Sequence, residues 1–381
     1  MNSIGIICEY NPFHNGHLYH LKKAREIDPS APIILIMSTN FTQRGDCSLI
    51  SKKEKTELCL KYGIDLVIEL PFVFSTQSAD IFARASITLL KELKVKYLIF
   101  GSETNDINLF KKLADIQLNN KEYDNYIKEY LDLGINYPSA LSRALSKITG
   151  TEITKPNDIL GLSYVREIIK QNALITPICI KRTSDYNSKQ LDSSITSATS
   201  IREALKNNLD VKKYIPTYSY KYFNNLHFIN DYFPFLKYKI LSENDLNKYQ
   251  TVEEGLDSRI KKYIIKSNSL DELINNVKTK RYTYQKLNRM FTHILCNFTK
   301  EEAKNISVTY IRILGFSKKG QKYLNEIKKD TTIPIITNYS NIKDKILDIE
   351  FRVNTIYAST LDEVSKKTLI EEEYKCFPIK S

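Results

Sequence analysis

The stretch that most constrains this chain is its opening, Gly5-Ile-Ile-Cys-Glu-Tyr-Asn-Pro-Phe-His14-Asn-Gly16-His17-Leu-Tyr-His20. The apolar run at 4–8 predicts a strand, and the chain then passes through a short loop into a predicted helix, the first half of a βα unit. Where such a helix begins, unpaired backbone N–H groups and the positive end of the macrodipole form a site for a polyphosphate. Gly16 lets the backbone come close. His14 and His17 are three apart, so once the helix starts they share a face and can donate hydrogen bonds to phosphate oxygens. Group transfer at phosphorus needs positioning and charge stabilisation more than a protein nucleophile, which makes these two imidazoles the candidate catalytic pair. Three of the five histidines fall between 14 and 20. An isolated His-x-Gly-His is a weak signal, but this one follows a predicted strand.

Further along, strand-like runs at 4–8, 33–38, 65–70, 97–101 and 176–181 alternate with amphipathic stretches at 51–62, 77–93 and 157–170. Such alternation predicts an α/β fold with a parallel, Rossmann-like sheet. Ligands of open parallel sheets sit beyond the C-terminal strand ends. Four polar strings fall there: His14–His20, Asn40-Phe-Thr-Gln43-Arg44-Gly45, Gly101-Ser-Glu103 and Lys181-Arg182. At 381 residues the chain calls for more than one core. We expect a nucleotide-binding domain over 1–212, a mainly helical basic segment over 213–305 and a small α+β domain over 306–381. No run of about 18 apolar residues suggests a membrane span, and no secretory leader is visible. Cys8, Cys47, Cys59, Cys179, Cys296 and Cys376 include no C-x-x-C, so neither a zinc site nor a disulfide framework is expected. A cytoplasmic location with reduced thiols follows.

The strings GIICEYNPFHNGHLYHL, MSTNFTQRGD (37–46), GIDLVIELPF (63–72), FGSE (100–103), KPNDILGLSY (155–164), IKR (180–182), SATSIR (197–202), YIRILGFSKKGQKYL (310–324) and IPIIT (333–337) together resemble the bacterial tRNA(Met) cytidine acetate ligases of the HxGH nucleotidylyltransferase-like superfamily. The resemblance covers nearly the whole chain. It departs from the family pattern at Thr39, where glycine is usual, and at Asp46-Cys47-Ser48, where an acidic-Pro-Ala string is common. The resemblance implies that acetate is activated as acetyl-adenylate and passed to the wobble cytidine of elongator tRNA(Met), giving N4-acetylcytidine, AMP and pyrophosphate.

By that likeness ATP is held by Ile7, Cys8, Glu9, Tyr10, Asn11, Pro12, Phe13, His14, Asn15, Gly16, His17, Leu18, Tyr19 and His20, completed by Gly101, Asn157 and Arg182. Mg²⁺ is expected to arrive with ATP, held mainly by phosphates and water. No metal ligands are assigned and no obligate protein partner is evident. Thr199, Ser200 and Arg202 look like a second phosphate motif, with a plain helix cap as the alternative for the two hydroxyls. Asn157 and Asp158 precede an apolar helical run, so either could cap it. Asn40, Gln43 and Arg44 form an unusual polar cluster at a strand end and are expected to line the site.

The net charge is +12, divided as +4 over residues 1–215 and +8 over 216–381. Basic proteins attract polyanions by long-range steering. Between Glu272 and Glu301 no acidic residue occurs, while Lys278, Lys280, Arg281, Lys286 and Arg289 do, with Tyr282 and Tyr284 among them. These five cations are the expected tRNA contacts. In a helix beginning near Thr283, Leu287, Met290, Phe291, Ile294, Leu295 and Phe298 form an apolar stripe, and Lys286, Arg289 and His293 share another face. Two alternatives stand beside this reading: a small-molecule adenylyltransferase of coenzyme biosynthesis, and a non-catalytic RNA-binding protein on a nucleotide fold. The large basic C-terminal part disfavours the first, and the intact His14, Gly16 and His17 disfavour the second. Aminoacyl-tRNA synthetases share the first motif, but no K-M-S-K-S-like string follows.

Overall fold

A computed structural model describes residues 2–182, 196–223, 225–339, 342–375 and 378–381. Its sheet contains β1 (Ile4–Cys8), β2 (Ile33–Ser38), β3 (Leu66–Leu70), β4 (Tyr97–Ser102), β5 (Thr176–Lys181), β6 (Ile311–Phe316), β7 (Ile335–Ile336) and β8 (Ile379–Lys380). The spatial order is β5-β4-β1-β2-β3-β6-β7, with β8 also beside β6. The first five strands are parallel, as their Ile-, Leu- and Val-rich sequences require of strands covered on both faces. Their positions agree with the five apolar runs to within a residue.

The chain runs from β1 outward to β3 and then returns to place β4 on the other side of β1, which makes the β1/β4 boundary the topological switch point. The ladder there is short. β1 registers with β2 over all of Ile4–Cys8, but with β4 only at Ile4 and Gly5. The C-terminal ends of β1 and β4 therefore part, and a crevice opens between them.

Helices cover both faces. Lys52–Lys61 starts at Ser51, whose hydroxyl and Glu54 form a reciprocal capping box. Ala79–Glu92 and Pro156–Lys170 pack beneath the crevice, and a Cβ on Gly161 would lie 2.5 Å from the Phe100 ring, so helix and β4 meet at a distance only glycine permits. Helices Ile107–Asn119, Lys121–Asp132 and Tyr137–Thr149 lie between these two in the chain.

The later chain is helical through Phe233–Ser242, Leu256–Ile264, Leu270–Val277 and Tyr284–Leu295, before β6 re-enters the sheet antiparallel to β3. The α+β C-terminal part thus continues the sheet that the N-terminal part begins. A buried ionic cluster seals this junction. Lys52 lies 2.6 Å from Glu69 and 3.0 Å from Glu373, and Arg312 lies 3.2 Å from Glu69 and 2.6 Å from Glu373. Glu350, on helix Lys345–Tyr357, accepts the Phe72 N–H at 2.7 Å.

Candidate functional site

His14 is the N-cap of helix Asn15–Ile27, in extended conformation. Its Nδ1 accepts the Gly16 N–H at 3.0 Å, while His17 Nδ1 accepts the backbone N–H of His14 at 3.2 Å. Two imidazoles thus form a capping box usually made by a hydroxyl and a carboxylate. The neutral tautomer that satisfies these bonds carries its proton on Nε2, leaving each ring one donor directed away from the backbone. Burial keeps the rings neutral. It pushes the pKa of His14 down to about 3, with help from Arg182 and Arg202, and holds His17 well below the usual imidazole range. His20 is pushed down to about 4 by the same burial and by Arg182. The ring centroids of His14 and His17 are 3.8 Å apart, and Tyr10 and Phe13 pack on His17 at 4.6 and 5.7 Å. That aromatic backing fixes the rotamers of the pair.

The crevice widens into a cleft of about 730 Å³, lined by Ile7–Asn11, His14, Gly16, His17, Tyr19 and His20 from the first βα unit. A volume of this size suits a nucleotide and its acceptor groups. Gly101, Asn157, Arg182 and Arg202 line it too. Pro12, Phe13, Asn15 and Leu18 support the loop and helix without reaching the wall: Phe13 is buried against Tyr10 and Tyr62, and Asn15 donates to Lys213 O. Asn11 ties the loop to its neighbour by donating to Cys47 O and accepting from Leu49 N, both at 2.8 Å.

On the opposite rim, Arg182 leaves β5 with its stem across Gly101, where a Cβ would stand 3.3 Å from Arg182 Cγ. Its Nη1 donates to Asn157 Oδ1 at 3.4 Å. Asp158 is buried and caps neither its own helix nor the cleft; its carboxylate accepts from Ser102 Oγ, Glu103 N, Thr104 N and Thr104 Oγ1 and so closes the turn after β4. Arg202 spans three elements, donating to Asn11 O at 2.7 Å and lying 3.4 Å from Asp46.

Three placements correct the sequence reading. Helix Ala198–Lys206 is capped by Ser197, which accepts the Ser200 N–H at 3.1 Å, so Ser197 and Ala198 meet the cleft where Thr199 and Ser200 were expected. Ser200 is buried against that cap, and Thr199 accepts from Arg202. Gln43 and Arg44 line the cleft, but Asn40 does not: it is buried and donates to Asn354 Oδ1 at 3.1 Å. His293 does not share an outward basic face, because its Nε2 sits 2.7 Å from Thr76 O with the ring fully buried. Its apolar neighbours form a stripe broad enough to carry that position inward.

The five C-terminal cations divide. Lys278, Lys280 and Arg281 are exposed at the end of helix Leu270–Val277 and in the loop that follows. Lys286 forms an ion pair with Glu253. Arg289 lines the cleft, and burial together with Arg44 lowers its pKa to about 10. It does so because the loop after β2 docks on helix Tyr284–Leu295: Asn288 donates to Arg44 O at 2.9 Å and Thr292 to Gly45 O at 2.6 Å. Gly45 has φ +86° and a Cβ there would sit 2.6 Å from Arg289 N, so glycine is required twice over. No local sequence signal marks this contact. Tyr137, Ser142, Arg143 and Glu152 from the helical insertion also line the cleft and carry no recognisable motif.

A parallel sheet split at its switch point, with paired histidines capping the first helix, defines a nucleotidyl-transfer architecture. Residues 1–372 match the family described as HIGH Nucleotidyl Transferase. Within that class the chain belongs to the tRNA(Met) cytidine acetate ligase family. It is 41% identical to the tRNA(Met) cytidine acetate ligase of Geobacillus sp. (strain WCH70), over the full length of both, and 39% identical to that of Bacillus subtilis (strain 168), over all of this chain and 97% of the relative. The fold is similar to Thermotoga maritima TmcAL in an apo crystal form, with TM-score 0.92 and 30% identity over all of this chain and 99% of that one. The same protein bound with alpha-thio ATP gives TM-score 0.90, at 30% identity and the same coverage.

Proposed function

We propose that this enzyme activates acetate with ATP and transfers the acetyl group to the N4 amine of the wobble cytidine of elongator tRNA(Met). The observation that carries this reading is the His14/His17 box: two neutral rings with their Nδ1 atoms committed to backbone N–H groups, which leaves the proton of each on Nε2, directed away from the backbone. Neutral donors suit an α-phosphate whose charge rises in the transition state, since they gain strength as charge develops and need no reorganisation. Full-length relatedness to ligases of that name supports the acceptor.

In this mechanism ATP lies across the switch point, with Ile7–His20 around its phosphates, Gly101 and Asn157 on the far rim, and Arg182 and Arg202 offsetting negative charge. Mg²⁺ would arrive with ATP, and phosphate oxygens and water would supply most of its ligands. An acetate oxygen attacks the α-phosphorus in line, and the bond to the bridging oxygen breaks to release pyrophosphate. The cytidine amine then attacks the acetyl carbonyl, AMP leaves with the electron pair of the broken C–O bond, and the nitrogen gives up one proton to solvent. Closure by the tRNA itself would shield the adenylate from water. We assign entry of the tRNA to the side of helix Tyr284–Leu295, because its Thr283, Gln285 and Arg289 line the cleft and the exposed Lys278, Lys280 and Arg281 lie just before it. The described residues contain no helix long and apolar enough to cross a membrane.

The test is transfer of labelled acetate to tRNA(Met) transcripts carrying cytidine or uridine at the wobble position, with AMP release followed in parallel. Label on the cytidine transcript alone, with stoichiometric AMP, is the expected result. Pyrophosphate exchange without tRNA labelling would assign the chain to small-molecule adenylyl transfer instead.

A further inference from the structure

We infer that Glu103 is a positioning residue for the nucleotide, acting through Asn157 and Arg182; the inference rests on the reading that these two residues hold ATP. Glu103 follows β4 immediately, and both of its carboxylate oxygens are engaged. Oε1 accepts Asn157 Nδ2 at 2.6 Å, and Oε2 accepts the Asp158 N–H at 3.1 Å. Arg182 Nε stands 4.0 Å from the same Oε1. Helix Pro156–Lys170 has no side-chain cap from its N-cap residue, Lys155, so Glu103 supplies from another element the carboxylate that the first turn lacks. Asp158 returns the bond by closing the turn around Glu103. Loop and helix start are thereby locked to each other from both sides.

This lock decides what Asn157 can offer. Its NH₂ faces Glu103 and its carbonyl oxygen faces Arg182, at 3.4 Å, so the amide cannot be flipped without opposing two acceptors and two donors. One N–H and one lone pair remain, in fixed order, for a base edge or a ribose hydroxyl. The same carboxylate beside Arg182 restrains the guanidinium, whose stem already lies on Gly101. Glu103 touches neither the phosphorus nor the acyl carbon in this arrangement. Its effect falls on nucleotide binding, common to ground and transition states, and so on KM rather than kcat.

Glu103→Gln keeps the shape but sets its NH₂ against either the Asn157 amide or the Asp158 N–H. We expect ATP affinity and the KM for ATP in pyrophosphate exchange to worsen about tenfold with kcat preserved within about twofold, the cost of one mispaired charge-assisted bond. Adding Asn157→Ala to Glu103→Gln should bring little further loss beyond Asn157→Ala alone, because the two act as a unit. The decisive arm is an exchange of partners. Asn157→Asp places two carboxylates face to face and should lose ATP binding, while Glu103→Gln with Asn157→Asp restores the donor–acceptor contact between the two positions and should regain part of that affinity, short of the parent because a carboxylate at 157 has no N–H for the nucleotide. If Asn157→Ala leaves ATP binding unchanged, the reading of the site itself fails. If Asn157→Ala weakens binding but Glu103→Gln does not, or the two effects add, or the exchanged pair shows no rescue, the positioning role is overturned while the site stands. Should Glu103→Gln alone give no folded protein, the exchanged pair against Asn157→Asp carries the same decision.

Discussion

One wall of the cleft is made from residues two and three apart in sequence, the other from residues separated by more than 240. His14, Gly16 and His17 cap their own helix, so the geometry of the motif wall is decided within one turn of chain. Arg44, Gly45, Asn288 and Thr292 meet only after the helical segment has folded back on the loop after β2. The first wall presents neutral donors and the second presents cations, Arg44 and Arg289, brought together in spite of their like charge. In the proposed mechanism the first wall carries the chemistry and the second completes the enclosure. A local cap survives small tertiary shifts; a docked loop does not.

Removing the local cap should have the largest effect. His17→Ala deletes a phosphate donor and the acceptor for the His14 N–H, and ATP–pyrophosphate exchange should fall by about 10³-fold. tRNA affinity, measured by filter binding, should be unchanged. Normal exchange in this variant would end the distinction between a catalytic and an enclosing wall.

The long-range wall breaks at Gly45. A side chain there meets the Arg289 backbone and adopts a positive φ, so Gly45→Ala should destabilise the protein by about 3 kcal/mol, read from thermal or denaturant unfolding. Loss of stability should come with weaker ATP binding, since Gln43, Arg44 and Arg289 leave their places together. An unaltered melting temperature would show that the loop can undock freely.

The same contrast governs what could be read from the sequence. Five strands, the capped helix Lys52–Lys61 and the position of His14 and His17 were legible because each depends on patterns within about a dozen residues. The apolar stripe of helix Tyr284–Leu295 was legible too, and Leu287, Met290, Phe291 and Ile294 are all buried. Illegible features were those fixed by distant partners. Asn40 looked like a site residue at a strand end, yet its partner is Asn354, on a helix that returns to the sheet some 300 residues later. Thr199 and Ser200 missed the cleft by two positions, a shift within the ordinary uncertainty of helix starts. Gly45 gave no hint that a Cβ there would meet the Arg289 backbone, because that helix lies in another part of the chain.

A smaller effect should follow at the exposed end of the second wall. Replacing Lys278, Lys280 and Arg281 by glutamine removes three outward cations without touching Arg289, and should weaken tRNA binding about tenfold. It should also lower the slope of log affinity against log salt by about 2 to 3. Exchange of pyrophosphate should stay at the parent level. An unchanged salt slope would move the RNA contact elsewhere on the surface.

The last effect concerns acid. His14, His20, His227 and His293 all have pKa values lowered by burial, to between about 3 and 4, and His17 is lowered as well, so the imidazoles of both walls and of the C-terminal part are neutral in the folded state. Unfolding below pH 6.5 lets each take up a proton. For such groups the folded state binds fewer protons than the unfolded one, so stability is fully present above about pH 6.5 and is lost as pH falls toward the folded values. Glu350, raised to about 7 by burial and by Glu69, acts in the opposite sense between its ordinary value and 7, and reduces the net slope. His227→Phe isolates one contribution outside the cleft. The ring keeps its stack on Tyr357, 4.1 Å away, and the Tyr232 hydroxyl keeps its bond to Tyr357 O at 2.6 Å, while the contacts of His227 Nδ1 with the Tyr232 hydroxyl at 3.1 Å and Thr360 Oγ1 at 3.3 Å are lost at every pH. Between pH 4.5 and 6.5 the variant's unfolding free energy should rise with pH less steeply than the parent's, by up to about 1.4 kcal/mol per pH unit. Its ATP affinity should match the parent's throughout that range, because His227 stands outside the cleft. Equal pH slopes for the two proteins would mean that His227 takes up a proton as readily in the folded state as in the unfolded one.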